Sequence, residues 1–454
     1  MKAIGFLTPY TGDNLGDGAI QDAVIHNIRV RWPNARIMGF TLSPDQTAAL
    51  HGVPCHPLTN LSISYYNRGV LERHRGQASR QPSPRAGDSL FKRMLKSVPL
   101  AFHFARWCYH CLERIAQAMQ VAVLHVRHTA REVGELPQSY RLVSGFDLLI
   151  VSGGGQIDDL WGGAFGHPYA LLKWALLARI SRTPFVLLSV GVGELNSRTS
   201  RFLTKQALRL AAYRSYRDAG SKRLLAAMTL TASDPVCPDL AFSYPVPAGA
   251  RSPAGRGARL SIGVNPISYL RAGSWPVSSA SLHEQYLKTL ASFIESVLQE
   301  GHRIVLFPGD RGDHHVIGEL SRTLRESLDE DLLARLSIPK VSNAADLFGL
   351  LRSLDLVVAS RLHSVILSHL ACTPVMAISY ERKVKVQMDA FAQSAYCLDI
   401  HRIDLTSLRL TFAALREHRK DVQDTLLEKS REANAAIQRQ YDDVLLRNWQ
   451  LPGR

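Results

Sequence analysis

The 454-residue sequence has no long apolar run and few cysteines, and both absences narrow what the protein can be. No uninterrupted apolar stretch approaches the ~18 residues that a membrane-spanning helix needs. The first seven residues are too short for a signal peptide and run straight into a turn-rich loop, so we expect a cytoplasmic protein. The six cysteines are scattered along the chain, and reduced thiols are the expectation.

Signatures of metal, nucleotide and nucleic-acid binding are also missing. Cys108 and Cys111 have C-x-x-C spacing, but no second cysteine pair accompanies them to complete a zinc site. The glycine-rich loops match neither a P-loop nor a G-x-G-x-x-G fingerprint. No zinc finger or aromatic ribonucleoprotein motif is present, so no nucleic acid is expected as a partner. We predict no metal and no bound cofactor.

Positive charge is abundant and unevenly distributed. The net charge is +15, and residues 61–145 hold 13 Lys and Arg against 5 Asp and Glu. A basic surface indicates an anionic partner, such as an acidic lipid face or a charged glycan, although it is equally typical of a merely solvated face.

Apolar strand-like segments alternate with helix-like segments in two parts of the chain. The predicted strands are 3–7, 36–40, 147–151, 184–190 and 211–216 in the first part, and 260–265, 303–307, 354–359 and 375–379 in the second. This alternation predicts an α/β fold, with two doubly wound parallel-sheet domains facing a cleft. Because ligands bind where the loops after parallel strands meet, we expect the functional site in that cleft.

The expected domain boundaries follow from composition. The first domain spans 1–250 and is interrupted by the basic insertion 61–145, while a Pro- and Gly-rich linker over 245–257 leads to a second domain at 258–400. Helices over 401–454 are expected to tie the two domains together. The insertion should contain a mobile loop over 77–88 and one or two long amphipathic helices over 91–133. Such helices either contact an anionic membrane or pack on their own domain or a partner subunit.

The segment Ser360-Arg361-Leu362-His363-Ser364 lies between a predicted strand and a predicted helix. Ser360 could cap that helix, whose free N–H groups attract anions. Arg361 offers a two-pronged cationic donor, and His363 can transfer a proton near neutral pH. Anion binding combined with proton transfer is therefore predicted here.

Two glycine-rich loops follow other strands. In the loop 10–18, glycines that include Gly16 let the backbone approach a ligand, and Asp13, Asn14 and Asp17 can bond sugar hydroxyls or cap the next helix. The second loop contains three consecutive glycines and two candidate bases or helix caps: Gly153, Gly154, Gly155, Asp158 and Asp159.

A further strand end carries Arg217 and Asp218. We predict that Asp218 caps the next helix and leaves Arg217 directed at the cleft as an anion ligand, the alternative being a surface ion pair. The loop 308–315 is similar, but its adjacent histidines point different ways, so joint metal binding is not expected.

Together, these blocks resemble the polysaccharide pyruvyl transferase family. The resemblance is carried by GDNLGD at 12–17, SGGG at 152–155 with Asp158, RDAGS at 217–221, PDL at 238–240, RLHS at 361–364, and Tyr380 with Lys383 in SYERKV. It spans nearly the whole chain except the insertion and the C-terminal tail.

The resemblance implies a glycosyltransferase-B-like fold and an enzyme of polysaccharide or exopolysaccharide biosynthesis. Such an enzyme transfers the enolpyruvyl unit of phosphoenolpyruvate (PEP), its co-substrate, to a sugar diol, giving a pyruvate ketal. By resemblance, Arg217, Arg361, Leu362 and His363 fall on PEP-binding positions, and Tyr380 and Lys383 line the cleft. We interpret His363 as the proton donor or stabiliser of the leaving phosphate.

Two alternatives stay open at this point. A nucleotide-sugar glycosyltransferase would share the architecture, although no clear glutamate pair follows the RLHS strand. A non-catalytic glycan-assembly protein of the same fold is the other. The acceptor sugar, its attachment to a lipid, a peripheral contact with the inner membrane face and the oligomeric state do not follow from the sequence.

Overall fold

The computed structural model describes residues 1–61, 99–160, 162–226, 228, 233–246, 259–271, 278–447 and 449. The predicted loop 77–88 and most of the linker 245–257 lie outside these residues. Within them, no helix has both the length and the apolar character needed to cross a membrane.

The first half of the chain builds a parallel six-stranded sheet. Its strands are β1 (Ala3–Leu7), β2 (Arg36–Thr41), β3 (Cys55–Pro57), β4 (Leu148–Ile157), β5 (Phe185–Val192) and β6 (Tyr213–Tyr216). Their order is β3-β2-β1-β4-β5-β6. The order reverses at the β1–β4 neighbour pair, so the loops after these two strands border the crevice where ligands bind in such sheets.

The second half builds a second parallel six-stranded sheet. Its strands are β7 (Ser261–Asn265), β8 (Arg303–Leu306), β9 (Leu336–Ser337), β10 (Leu356–Ala359), β11 (Val375–Ser379) and β12 (Cys397–Asp399). The order is β12-β11-β10-β7-β8-β9, which reverses between β10 and β7. The predicted α/β fold with two doubly wound parallel sheets is confirmed.

Helices connect the strands and cover the sheets. In the first half they are α1 (Leu15–Arg31), α2 (Pro44–His51), α3 (Pro99–Ser144), α4 (His167–Ser181), α5 (Arg198–Leu210) and α6 (Ala219–Ala226). In the second half they are α7 (Ala280–Gln299), α8 (Asp313–Ser327), α9 (Glu330–Leu333), α10 (Ala344–Ser353), α11 (Leu362–Leu370) and α12 (Arg382–Ala390), followed by α13 (Leu405–Glu417) and α14 (Arg419–Leu445). Short 3-10 turns occur at Gly163–Phe165, Leu240–Ser243 and Ser394–Tyr396.

The long basic insertion ends in one helix, α3, which covers part of the predicted 91–133 segment and continues to Ser144. A buried polar cluster holds it against α4. Lys173 Nζ lies 2.7 Å from Glu132 Oε1 and donates to Leu58 O at 2.8 Å, and Glu132 Oε2 accepts from the Asn60 backbone at 2.7 Å. Because a buried charge is stable only when it is paired, this cluster determines which face of α3 points inward.

The two halves share contacts along the cleft and at the chain's end. Leu15 N donates to Gly309 O at 3.1 Å, and Asn14 forms an antiparallel bridge with Asp310. Helix α14 touches both halves: Asn434 Nδ2 donates to Phe242 O, and Ser430 Oγ donates to His369 O, each at 3.0 Å. One continuous buried apolar cluster runs from α1 through the Leu240–Ser243 turn into the second sheet.

Candidate active site

The Arg361 side chain lies at the end of β10 and is already paired with a carboxylate. Its Nε lies 3.2 Å from both oxygens of Asp313, and its Nη2 lies 2.6 Å from Oδ1. Asp313 is fully buried, and its Oδ2 also accepts from the backbone N–H groups of Gly309 and Asp310. The Asp313 carboxylate raises the pKa of Arg361 although burial opposes the shift. Arg361 is therefore a cation held in one orientation.

The helix after this strand begins differently from the prediction. Arg361 is the N-cap residue of α11, and its side chain makes no capping hydrogen bond. Ser360, predicted to be the cap, lies 3.0 Å from the hydroxyl of Tyr286. The prediction was wrong because the fully buried Tyr286 side chain reaches Ser360 from another helix, which local spacing cannot reveal. The Leu362 side chain is also buried. If an anion binds at the start of α11, Leu362 can contact it only through its backbone N–H.

Arg217 is held at the end of β6, and its side chain is only 10% exposed. Its Nη1 donates to Asp239 Oδ2 at 3.1 Å. A Cβ atom at Gly191, in β5, would stand 2.6 Å from Arg217 Nη2, so the absence of a side chain there makes room for the guanidinium. Asp218 accepts from the backbone N–H of Ser221 at 2.7 Å, as expected for a residue that caps α6.

His363 lies between carboxylates from the first half of the chain. Its Nδ1 is 3.7 Å from Asp17 Oδ1, and its Nε2 is 3.8 Å from Asp239 Oδ2. Both separations exceed a hydrogen bond, so these contacts become ion pairs only when the ring is protonated, and the buried Nε2 has no hydrogen-bond partner in the described structure. Any side chain at Gly16 would collide with His363. The glycine therefore serves close packing between α1 and α11.

Asp239 was not among the predicted site residues, yet it joins two of them. Its carboxylate is fully buried and contacts both Arg217 and His363 through Oδ2, while its Oδ1 accepts from Ala241 N at 3.0 Å. Burial alone would raise the pKa of Asp239, but the neighbouring His363 ring and the Arg217 guanidinium hold it well below its usual range. Asp239 is therefore an anion whose negative charge is compensated by both groups.

Asp17 is in a different electrostatic setting. Burial raises its pKa, the nearby His363 lowers it, and the carboxylates of Asp239 and Asp310 raise it again. Asp17 is a third exposed and lies at the first turn of α1, so it can meet a substrate in the cleft. A carboxyl with a raised pKa can exchange a proton closer to neutral pH than a free one.

The remaining polar residues of the 10–18 loop have structural contacts. Asn14 is the N-cap of α1, and its Oδ1 accepts from the backbone N–H groups of Gly16 and Asp17 at 3.0 Å each. Asp13 Oδ1 lies 3.2 Å from Arg311 Nε in the facing loop of the second half. These contacts fix the loop beside the loop that follows β8.

The three glycines are part of strand β4 and not of a loop. Gly154 and Gly155 continue the parallel pairing with β5, and Gly153 and Gly154 have φ values of 62° and 71°. A Cβ at Gly153 would meet Leu240, and one at Gly154 would lie 3.5 Å from Asp17 Oδ1. The predicted close approach is made by the protein's own side chains. Gly155 is exposed and has open space beside it.

The two aspartates after β4 differ. Asp159 accepts from the backbone N–H groups of Asn196 and Ser197, at 2.8 and 3.0 Å. That carboxylate is therefore used to hold the loop after β5, which favours a structural role for Asp159 over the role of a base. Asp158 Oδ1 accepts a hydrogen bond from Leu160 N at 3.1 Å, a contact within its own loop.

His167 is a candidate that the sequence did not reveal. It begins α4, its side chain is buried, and its Nδ1 has no hydrogen-bond partner within the described residues. Burial lowers the pKa of His167, whereas the carboxylates of Asp158 and Asp17 oppose that shift. It also lines a small cavity with Gln156. No motif marks this histidine, and only the proximity of two carboxylates indicates a role.

Tyr380 and Lys383 follow β11 on the same side of the second sheet. Lys383 Nζ lies 2.8 Å from Glu381 Oε2 and 5.7 Å from the centre of the Tyr380 ring. Burial raises the pKa of Tyr380, and Arg361 is one of the cations that oppose the shift. Both residues thus belong to the surroundings of Arg361.

These contacts define one cluster of alternating charges at the strand ends. Its cations are paired with carboxylates of the same site, so it is not a surface of bare positive charge. Within the described ranges, no group of three or more His, Cys, Asp or Glu side chains has the arrangement of a metal site.

Solved structures with a similar architecture define the fold class of this protein. The S. aureus MnaA–UDP structure has a TM-score of 0.54 and 10% identity, and the match covers 100% of this chain and 99% of that chain. The UDP-GlcNAc 2-epimerase from Neisseria meningitidis bound to UDP-GlcNAc has a TM-score of 0.53 and 10% identity, with 99% and 100% covered. At this identity the likeness shows the fold alone, and the predicted glycosyltransferase-B-like, two-domain α/β architecture is confirmed.

The sequence model of the family described as polysaccharide pyruvyl transferase matches residues 14–382, most of the chain. The protein therefore belongs to the polysaccharide pyruvyl transferase family, as the resemblance predicted. No curated protein matches the sequence significantly. At the level of the family, the protein is a transferase of polysaccharide biosynthesis.

Proposed function

We propose that the protein transfers the pyruvyl unit of PEP to two hydroxyls of one sugar, forming a cyclic pyruvate ketal and releasing phosphate. The observation that carries this proposal is that Arg217 and His363 both approach the buried carboxylate of Asp239, with Asp17 on the other side of the His363 ring. Arg361, two residues before His363 in the chain, is held in place by Asp313. PEP is a small anion with a phosphate and a carboxylate, and its binding requires several cationic donors. Membership of the family supports the same chemistry.

Each arginine has a part of its guanidinium left for a ligand. Asp313 contacts Nε and Nη2 of Arg361, and Asp239 contacts Nη1 of Arg217. The Nη1 group of Arg361 and the Nη2 group of Arg217 are the donors that we assign to PEP, together with the backbone N–H groups at the start of α11. Because the carboxylates hold both side chains in place, little conformational entropy is lost on binding.

The reaction begins with a proton. Transfer of a proton to the methylene carbon of PEP turns that carbon into a methyl group and makes C2 electrophilic. One sugar hydroxyl then adds to C2 and loses its proton. The C2–O bond to phosphate breaks, and the second hydroxyl adds to C2 and loses its proton, which closes the ring. One proton is consumed and two are released, so one net proton passes to a base or to phosphate.

His363 is our candidate for the first proton transfer or for stabilising the departing phosphate. Its two ring nitrogens face Asp17 and Asp239, which would keep a protonated ring in one orientation. For the hydroxyl protons, Asp158, Asp17 and His167 are the candidate bases on the side of the first sheet. The acceptor is a carbohydrate in this proposal, and Tyr380 and Lys383 would border it.

Two further expectations accompany the proposal. A lipid-linked acceptor would bring the protein to the inner face of a membrane, and the basic insertion 61–145 would contact anionic lipid there. Neither is needed for the chemistry.

The experiment is ligand protection followed by turnover. We expect PEP at millimolar concentration to raise the Tm of the purified protein, and inorganic phosphate to do so less. With candidate glycans present, phosphate should be released from PEP. His363→Asn should reduce release at least about 100-fold, the range of a lost general acid, while retaining the Tm of the parent.

A matched control is His314→Asn, because His314 is an exposed histidine at the start of α8. That variant should release phosphate like the parent. Protection by UDP-GlcNAc and not by PEP would contradict the proposal and favour a nucleotide-sugar glycosyltransferase. PEP protection without phosphate release for any glycan would favour a binding protein.

A further inference from the structure

Helix α3 carries exposed apolar side chains on the face that points away from its own domain. We call them the seam: Met119, Val123, Val126, Ala130, Val133, Pro137 and Tyr140. The exposed fractions reach 70% at Val126 and 66% at Val123. Five exposed large apolar residues along one helix are more than scattered surface residues account for.

The spacing of the seam is that of a coiled coil. Its members follow one another at alternating steps of four and three residues, which is the heptad pattern. In the sequence, the same alternation continues towards the N-terminus with further apolar residues: Phe102, Ala105, Tyr109, Leu112 and Ala116. An apolar repeat sustained over residues 102–140 of one helix is typical of a helix that pairs with another.

The seam cannot turn inward to bury itself. Glu132, Ser139 and Val143 are buried on the opposite face of α3, and Glu132 is held by Lys173 and Asn60. Rotating the helix would expose that paired charge and leave Lys173 without its partner, which is costly inside a protein. Among the residues that the structure describes, the seam is therefore left uncovered and is available to another molecule.

We propose that two copies of this chain associate through this seam, forming a two-helix coiled coil. The seam, with apolar residues only at alternating steps of four and three, is narrower than the apolar face of a helix that lies on a membrane surface. In its described part it consists mainly of Val and small residues, whereas interfacial helices favour Trp, Phe and Leu. A heptad face is complementary to itself, which is what a two-fold dimer requires.

The described part of the seam gives a small contact. Residues 119–140 extend about 32 Å along the helix axis, and a strip about 10 Å wide buries on the order of 300 Å² per copy. Standard stable interfaces bury roughly 800 Å² per partner, so the dimer depends on the same repeat continuing towards residue 102, and a moderate affinity is expected. The exposed Arg127, Arg131 and Arg141 border the seam. Their mutual repulsion across a dimer would be screened by salt.

Analytical ultracentrifugation of the full chain tests this proposal. We expect a dimer at micromolar protein concentration. Its dissociation constant at 500 mM NaCl should be equal to or lower than that at 50 mM NaCl. Val126→Glu should weaken dimerisation at least tenfold. Gln138→Glu, at an exposed position of the same helix outside the seam, should leave it unchanged. Circular dichroism and Tm should show that both variants are folded.

Hydrogen exchange gives a second readout that needs no variant. Amides of residues 119–140 should become better protected as the protein concentration rises. A monomer up to 100 µM, or a dimer that Val126→Glu does not affect, would overturn the proposal. Binding of the monomer to phosphatidylglycerol vesicles, lost in Val126→Glu and in high salt, would assign the seam to a membrane instead.

Discussion

Removal of the Arg361 guanidinium should be among the most costly single changes in the cleft. Asp313 is fully buried, and Arg361 approaches it at 3.2, 3.2 and 2.6 Å. Arg361→Met would leave that carboxylate without its counter-ion, and losing one partner of a buried pair typically costs about 3–5 kcal/mol. We expect about 3 kcal/mol, because Arg361 is 19% exposed and Asp313 keeps two backbone hydrogen bonds.

A double-mutant cycle measures this coupling. The parent, Arg361→Met, Asp313→Asn and the double variant are compared by urea unfolding. In Asp313→Asn the side-chain oxygen can still accept from the Gly309 and Asp310 N–H groups, so the double variant should recover part of the loss. We expect a coupling energy of at least ~2 kcal/mol, as for residues in direct polar contact.

A coupling energy below ~0.5 kcal/mol would refute the reasoning, since it would mean that the two side chains titrate and move independently. The result also affects the ligand assay. Protection by PEP must be measured against each variant's own Tm, because Arg361→Met should lower the Tm without any ligand. We expect no PEP protection in Arg361→Met or in the double variant.

Three other predictions test separate parts of the structure. Gly16→Ala should reduce turnover at least tenfold and destabilise the protein by about 1–3 kcal/mol or more, because its methyl group would collide with the Cβ of His363 and push α1 and α11 apart; unchanged turnover and stability would contradict the packing described here. Burial lowers the pKa of His369 to about 3, so the folded protein loses stability as the pH falls below about 6.5, by up to ~1.4 kcal/mol per pH unit. His369→Phe should therefore lose less unfolding free energy than the parent between pH 6.5 and 5.5. Equal losses in the parent and the variant would contradict this prediction. Lys173→Met should destabilise the protein by about 3 kcal/mol and speed amide exchange in the last turns of α3, whereas a change below ~0.5 kcal/mol would show that Glu132 is not held by this pair.

The sequence predicted the core strands well and the edge strands poorly. The central strands are continuous apolar runs, which buried parallel strands need, so their positions agree within two residues, except that β4 continues six residues past its predicted end to Ile157. Strands β3, β9 and β12 have only two or three residues each and stand at or near the sheet edges, so no periodicity marks them. The insertion helix was predicted, but which of its faces is buried depends on Lys173, far away in the sequence.

The candidate site was predictable where a residue's type and strand-end position define its role. Arg217, Arg361 and His363 met those conditions. The carboxylates that hold them did not. Asp239 lies in the PDL block and Asp313 in the loop 308–315, but their contacts with the two arginines arise only in the tertiary fold. For the same reason the sequence could not separate Asp158 from Asp159, since the partners of Asp159, Asn196 and Ser197, come from the next strand's loop.

The position of α14 has a consequence for synthesis of the protein. Ile437, Tyr441 and Val444 are completely buried, and Arg31 of α1 lies 2.6 Å from Asp442. A ribosome makes α14 after both sheets, so the nascent first half carries an uncovered apolar surface until α14 has been made. Chaperone binding to stalled chains should therefore persist up to about residue 445, and truncation within α14 should yield aggregates rather than a smaller folded protein.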